Sequence, residues 1–266
     1  MSDYRLPSTT ALVGAKIGLA GQAGGTLGIE LLPDGVARWT AHEVAWQHGG
    51  RAEWTQAGGE ETWSGAGQAP VDVVELRDGV FFVDLDLDEP ATDAATVIVD
   101  VNGGWALIVH QRRIQPRETW SRGPEVLHVF AAATVEGTTP TGAAPAPTRD
   151  LVGKRHLYRY SAHNLYEHVY LNSEKFCSHN VNTLFTPSRA DCHPASHFSF
   201  GDDLYVFTWR EYDSGTGMVS ALDLRTLRAT AKAHAPEGWG RSVSRPIGGH
   251  IIPAGGLDYP DGLEPC

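Results

Sequence analysis

Two tyrosines and a glutamate have the types and spacing that could do chemistry. Tyr158 and Tyr160 are two apart, so a strand carrying them projects both phenols from one face. Tyr205, Phe207, Trp209 and Glu211 share a face of another segment, with Leu204, Val206, Thr208 and Arg210 on the opposite face. A carboxylate flanked by aromatic rings is desolvated, which favours its protonated form and suits it to general acid or base work near neutrality. A pair of phenols can hydrogen-bond a substrate carboxylate or oxyanion and stabilise charge as it develops. The competing reading is structural, with the same residues forming a satisfied polar network in a core or Glu211 pairing with an arginine at a rim.

The elements that would position these residues are short period-2 segments punctuated by 30 Gly and 16 Pro. Val71–Leu76, the turn Arg77-Asp78-Gly79 and the alternating Val80–Leu87 read as paired strands. Thr96–Val101, Asn102-Gly103-Gly104 and Trp105–Val109 read as a hairpin. Helical periodicity is nearly absent; Arg122–Glu136 could carry one helix at most. The Pro- and Ala-rich tract between Glu136 and Thr148 reads as a linker, placing a boundary near residue 140.

The two halves are related. Residues 12–35 lie on residues 151–174 without a gap, opened by Leu12-Val13-Gly14 and Leu151-Val152-Gly153, at an offset of 139. Asp78–Val83 lies on Asp202–Phe207 at an offset of 124, and the tract between Trp39 and Trp63 absorbs the difference of 15. The expectation is an internal duplication: two tandem antiparallel meanders, each closing into a barrel that removes its edges. Comparison of the copies then isolates what differs. Leu19 and Gly21 stand where the second copy has Tyr158 and Tyr160, Leu27 and Leu31 where it has Tyr166 and Tyr170, and Leu87 where it has Glu211. Catalysis, if present, is therefore expected in the second barrel. The first is expected to be a filled structural partner, with Trp39, Trp46 and Trp54 in its core or at the domain interface.

Composition excludes some classes. The chain has 266 residues and a formal net charge of −11, which argues against a nucleic-acid partner and against adsorption to anionic lipid. Three cysteines, Cys177, Cys192 and Cys266, do not make a disulfide framework, so a reducing compartment is expected. No signal peptide and no run of ~20 apolar residues is visible, and the expected location is cytoplasmic.

Other constellations carry less. Cys177, His179, Cys192, His193 and His197 offer five metal-compatible side chains, but without the tight ligand pairs of a structural site, and no metal is assigned. His179 or His193 reads better as a barrel-lining acid or base. The glycines of 14–28 and Gly248-Gly249 lack the enclosing βαβ unit of a dinucleotide fingerprint, and Gly65-Ala66-Gly67 reads as an isolated loop. There is no Gly-x-Ser-x-Gly elbow. Asp84-Leu85-Asp86-Leu87-Asp88-Glu89 reads as the solvated face of a strand and its turn.

The run Tyr158–Asn172, followed by Asp203–Glu211, resembles the molybdenum cofactor biosynthesis protein F (MoaF) family, and the stretch around Gly79–Asp84 resembles that family's N-terminal domain. The family is similar in fold to lipocalins and other calycins. In order and approximate spacing, Tyr158-Arg159-Tyr160, Tyr166-Glu167, Trp209-Arg210-Glu211 and Thr216-Gly217 also resemble the phenolic acid decarboxylases. That resemblance implies that Tyr158 and Tyr160 hold a substrate carboxylate or phenolate and that Glu211 handles the proton. The remaining catalytic arginine of those enzymes would correspond to Arg189, although Pro187, Pro194 and the neighbouring Cys192-His193 disturb the register.

The expectation is an all-β protein of two tandem calycin-like barrels: residues 1–139, a linker at 140–150, and residues 151–266. Its function is cofactor-free lyase or isomerase chemistry on a small aromatic or unsaturated substrate, or else non-catalytic carriage of a small ligand. Glu211, Tyr158 and Tyr160 are the catalytic candidates. Tyr166, Tyr170, His179, Arg189, His193, Phe207 and Trp209 are the substrate-binding ones. The expected partner is that small molecule, with a homodimer an allowed assembly.

Overall fold

A computed structural model describes residues 3–49, 61–87, 93–113, 126–183, 189–212, 214–236 and 242–260. All its regular elements are strands. The first barrel runs β1 (Lys16–Gly21), β2 (Thr26–Leu31), β3 (Val36–Ala45), β5 (Thr62–Arg77), β6 (Val80–Asp86), β7 (Asp93–Asp100), β8 (Trp105–Arg113) and β9 (Val126–Val135), each antiparallel to the next. It closes where β1 pairs β9, and the two-residue β4 (His48–Gly49) lies along β9. The second runs β11 (Lys154–Ser161), β12 (Asn164–Tyr170), β13 (Lys175–Thr183), β14 (Ala190–Ser199), β15 (Leu204–Arg210), β16 (Gly217–Asp223), β17 (Arg228–Pro236) and β18 (Ser242–Gly256), and closes where β11 pairs β18. Both are closed eight-stranded up-and-down barrels. The end of the expected linker is not free of structure: β10 (Ala146–Pro147) pairs with Ser199 and Phe198 of β14. Its proline is tolerated there because an edge strand need not donate.

The duplication extends to register. Leu19 faces Leu27 as Tyr158 faces Tyr166, and Ile29 faces Trp39 as His168 faces Ser178, each at the offset of 139. Across β5–β6 and β14–β15, Val73 faces Val83 as His197 faces Phe207, at the offset of 124. The turns match as well. Gly14 and Gly153 are left-handed with φ of 81° and 82°, and Gly79 has φ 73° where Asp203 has 58°. Aspartate is among the few side chains that tolerate that region.

The first barrel is filled by aliphatic residues such as Leu19, Leu27, Ile29, Leu31, Val83 and Ile108, with Trp39, Trp46 and Trp63 at one end. Trp39 and Trp46 are thus core residues; Trp54 lies outside the described residues. Gly65-Ala66-Gly67 is not a loop but part of β5. A Cβ on Gly65 or Gly67 would approach the Trp39 ring to 3.3 Å, so the glycines make room for the indole.

The barrels meet along the outward faces of β5–β9 and β14–β16, where Val74, Phe82, Ile98, Leu107 and Val109 pack on Leu204, Val206, Val219 and Ala221. Phe130 and Phe198 are 4.5 Å apart there. Strands buried on both faces read as continuous apolar runs, which is why Val126–Val135 looks helical in the sequence and is a strand in the structure. The same contact overturns the solvated reading of Asp84. It is 7% exposed and paired with Lys232 of β17, itself fully buried, whose Nζ also reaches Asp86 at 3.2 Å and the Leu85 carbonyl at 3.2 Å. Burial pushes the Asp84 carboxyl up to about 6 despite the adjacent ammonium. Asp88 and Glu89 lie outside the described residues. Arg77 donates to both carboxylate oxygens of Asp223 at 3.1 and 3.2 Å, a second ion pair between the barrels.

Candidate functional site

The interior of the C-terminal barrel is lined by rings. Strand alternation points His156, Tyr158 and Tyr160 of β11 and Tyr166, His168 and Tyr170 of β12 inward, facing Phe176 of β13, His193 and His197 of β14, and Phe207 and Trp209 of β15. The Tyr158 and Tyr170 hydroxyls form a hydrogen bond, while the Tyr160 ring stacks on Tyr158 at 6.2 Å. His168 sits at the centre, 4.3 Å from the Tyr158 ring, 4.9 Å from Phe176 and 5.4 Å from Trp209. The opposite wall, on β16 and β17, contributes mostly short side chains: Ser220, Ala229, Ala231 and Ala233.

This interior is kept uncharged. Burial drives the imidazoles of His156 and His197 down to about 4 and that of His168 to about 3, and it lowers His193 as well. The phenols of Tyr158, Tyr160, Tyr166 and Tyr170 are all raised, chiefly by burial. Among the described residues no hydrogen-bond partner meets Nδ1 of His156, His168 and His193, or either ring nitrogen of His197.

Glu211 follows the last residue of β15, on the wall opposite β11. It is half-buried at the barrel mouth, not enclosed in the interior as the sequence argument expects. Trp209 Nε1 donates to its Oε1 at 3.3 Å and Ser214 Oγ to its Oε2 at 2.6 Å. Its charge contributes to raising the Tyr160 and Tyr166 phenols and opposes the lowering of His193, so the carboxylate acts across the mouth on both walls. Arg189 is also at this end, exposed and paired with Asp191 at 2.9 Å.

Tyr158, Tyr160, Tyr166, Tyr170, His193, Phe207 and Trp209 thus share one interior, and Glu211 and Arg189 stand at its mouth. His179 does not join them. It lies on the outer face, opposite Glu167 in register and 3.3 Å from its carboxylate, which Arg155 also binds. The reason is parity: Ser178 and Asn180 take the inward positions of β13. Cys177 and Cys192 are direct cross-strand neighbours on β13 and β14, joined in a disulfide with Cα atoms 4.0 Å apart, a pairing the sequence argument did not propose. Cys266 lies outside the described residues. Sequence reasoning missed His156 and His168 as lining residues and weighed His197 only as a metal ligand. The available signal was alternation: His156-x-Tyr158-x-Tyr160 and Tyr166-x-His168-x-Tyr170 put each histidine on the face of its neighbouring tyrosines.

Among the described residues no helix is long and apolar enough to cross a membrane. Residues 1–112 match the family model of the MoaF N-terminal domain, and residues 145–254 that of the MoaF C-terminal domain. The chain is similar to Protein MoaF of Klebsiella aerogenes, with 29% identity over 202 residues, covering 70% of this chain and 74% of that protein. With the N- and C-terminal domain models of one family matched in order along most of its length, the chain belongs to the MoaF family.

Proposed function

We propose that the C-terminal barrel is the site of a cofactor-free lyase or isomerase acting on a small aromatic or unsaturated molecule. One observation carries this reading: the replacement pattern between two barrels of matched register. Ile17, Leu19, Leu27, Ile29, Leu31, Ala69 and Val73 hold the positions that His156, Tyr158, Tyr166, His168, Tyr170, His193 and His197 hold in the second copy. The first barrel shows that aliphatic residues satisfy this fold, so folding alone does not call for the polar set. Buried phenols and imidazoles carry a desolvation cost that a working site explains.

In the proposed roles, Tyr158 and Tyr160 orient the substrate from one wall and Glu211 exchanges a proton from the other. Trp209 and Ser214 hold the carboxylate in place. Tyr166, Tyr170, Phe207 and Trp209 form the aromatic walls, with His193 beside the acid at the mouth. Glu167, next to Tyr166, takes no part in these roles: it faces outward to Arg155.

A non-catalytic carrier is the second reading, favoured by the position of Glu211. A half-buried carboxylate satisfied by Trp209 and Ser214 is also what a binding barrel presents at its rim. Incubation with hydroxycinnamates and with vinyl- and hydroxy-substituted aromatics, followed by product detection, separates the two. Turnover of any member supports the enzyme; binding without turnover across the panel supports the carrier.

A further inference from the structure

We propose that the C-terminal barrel receives a hydroxyl-bearing aromatic molecule with its neutral hydroxyl end inward, bonded to the buried imidazoles, and its more polar end at the mouth. The inference rests on the reading of this barrel as a small-molecule site and names the class of molecule.

His156, His168, His193 and His197 are 3–6% exposed, and each has a ring nitrogen without a hydrogen-bond partner among the described residues. A neutral imidazole offers one N–H donor and one bare nitrogen acceptor, and a hydroxyl group can meet either. Burying such atoms unpaired is unfavourable, and the matching barrel holds Ile17, Ile29, Ala69 and Val73 at these four positions. A ligand hydroxyl supplies the missing partner.

Charge sets the orientation. Arg189, Asp191 and Glu211 stand at the mouth end, while the deeper wall presents tyrosines, histidines and phenylalanines. A carboxylate pushed to that depth would lose its hydration among buried, uncharged rings, whereas a neutral hydroxyl loses little. Shape selects a flat molecule: rings line β11–β15, and short side chains line much of β16 and β17. Phe207 and Trp209, stacked at 5.0 Å, and Phe176 edge-on to Phe207 offer aromatic faces and edges to a ring lying along that wall.

The test uses the full chain labelled with 15N-histidine and four probes: catechol, 2-methoxyphenol, 1,2-dimethoxybenzene and benzoate. Each methylation removes one O–H donor and adds one methyl group, and the histidine ring-nitrogen signals separate loss of the hydrogen bond from loss of fit. Affinity should fall at least tenfold from catechol to 1,2-dimethoxybenzene, benzoate should bind more weakly than catechol, and the His168 and His197 ring-nitrogen signals should move only with hydroxylated probes. Equal affinity for the dimethoxy probe or for benzoate, or shifts confined to His193, overturns the proposed ligand class and leaves the small-aromatic site standing. If no probe perturbs any interior histidine, the small-aromatic reading falls and the ligand class with it.

Discussion

The hydroxyls of Tyr158 and Tyr170 hydrogen-bond one another inside the C-terminal barrel, at the two positions that Leu19 and Leu31 fill in the N-terminal one. Both rings are at most 1% exposed, so neither hydroxyl can turn to water if its partner is removed. Tyr158→Phe or Tyr170→Phe alone should each destabilise the fold by about 1–3 kcal/mol, the cost of an orphaned buried hydroxyl. The double variant should cost less than the sum of the singles, because it leaves no orphan. Urea denaturation of the four proteins measures this; strict additivity would show that the hydroxyls are not coupled.

Glu211→Gln keeps shape and removes the ionisable group. Since Glu211 is half-buried at a strand end, the variant should fold normally. On any substrate the wild type turns over, its rate should drop on the order of 10²–10⁴-fold, the usual worth of a general acid or base. Circular dichroism and steady-state assays check the two halves of this prediction, and retention of full activity would remove Glu211 from the chemistry.

Acid should destabilise the protein well above the pH at which ordinary carboxylates protonate. Unfolded imidazoles titrate near 6.5, but those of His156 and His197 fall to about 4 and that of His168 to about 3 in the folded chain. Their folded pKa values are depressed, so the stability they carry is full above about 6.5 and is lost as pH falls toward 4. Asp84 acts in the opposite sense. Its carboxyl is raised to about 6, so its share is present below about 4 and is lost as pH rises through 6. Three imidazoles against one carboxyl leave a net loss on the order of several kcal/mol on acidification. Urea midpoints at pH 7.5 and pH 5 should differ accordingly; an equal or higher midpoint at pH 5 would refute this.

At the interface between barrels, Lys232→Met should cost about 3–5 kcal/mol, because it leaves the Asp84 carboxylate buried without its cation. Adding Asp84→Asn should recover much of that loss. Thermal denaturation of the single and double variants measures it; a further drop in the double variant would contradict the assignment.

Some of this architecture is legible in the sequence. Val80–Asp86 and Leu204–Arg210 declare themselves because their turns, Asp78-Gly79 and Asp202-Asp203, need left-handed backbone, and a constant offset survives only where strands keep register. Tyr158, Tyr160 and the ring-bearing face of β15 are equally legible, since parity alone fixes a side chain's wall. What is not legible depends on partners far along the chain. Val126–Val135 and Asp84 change character because a second barrel covers their outer faces. His179 cannot be assigned a face until the parity of β13 is known, and Cys177 and Cys192 become partners only once β13 and β14 pair.

A small molecule should be handled inside the second barrel and not the first. A crystal structure of the protein with a turned-over or tightly bound aromatic compound tests it most directly. Density should be enclosed by Tyr158, His168 and Phe207, with one end at Glu211. Density inside the first barrel, among Trp39, Trp46 and Trp63, or on the outer surface would contradict it.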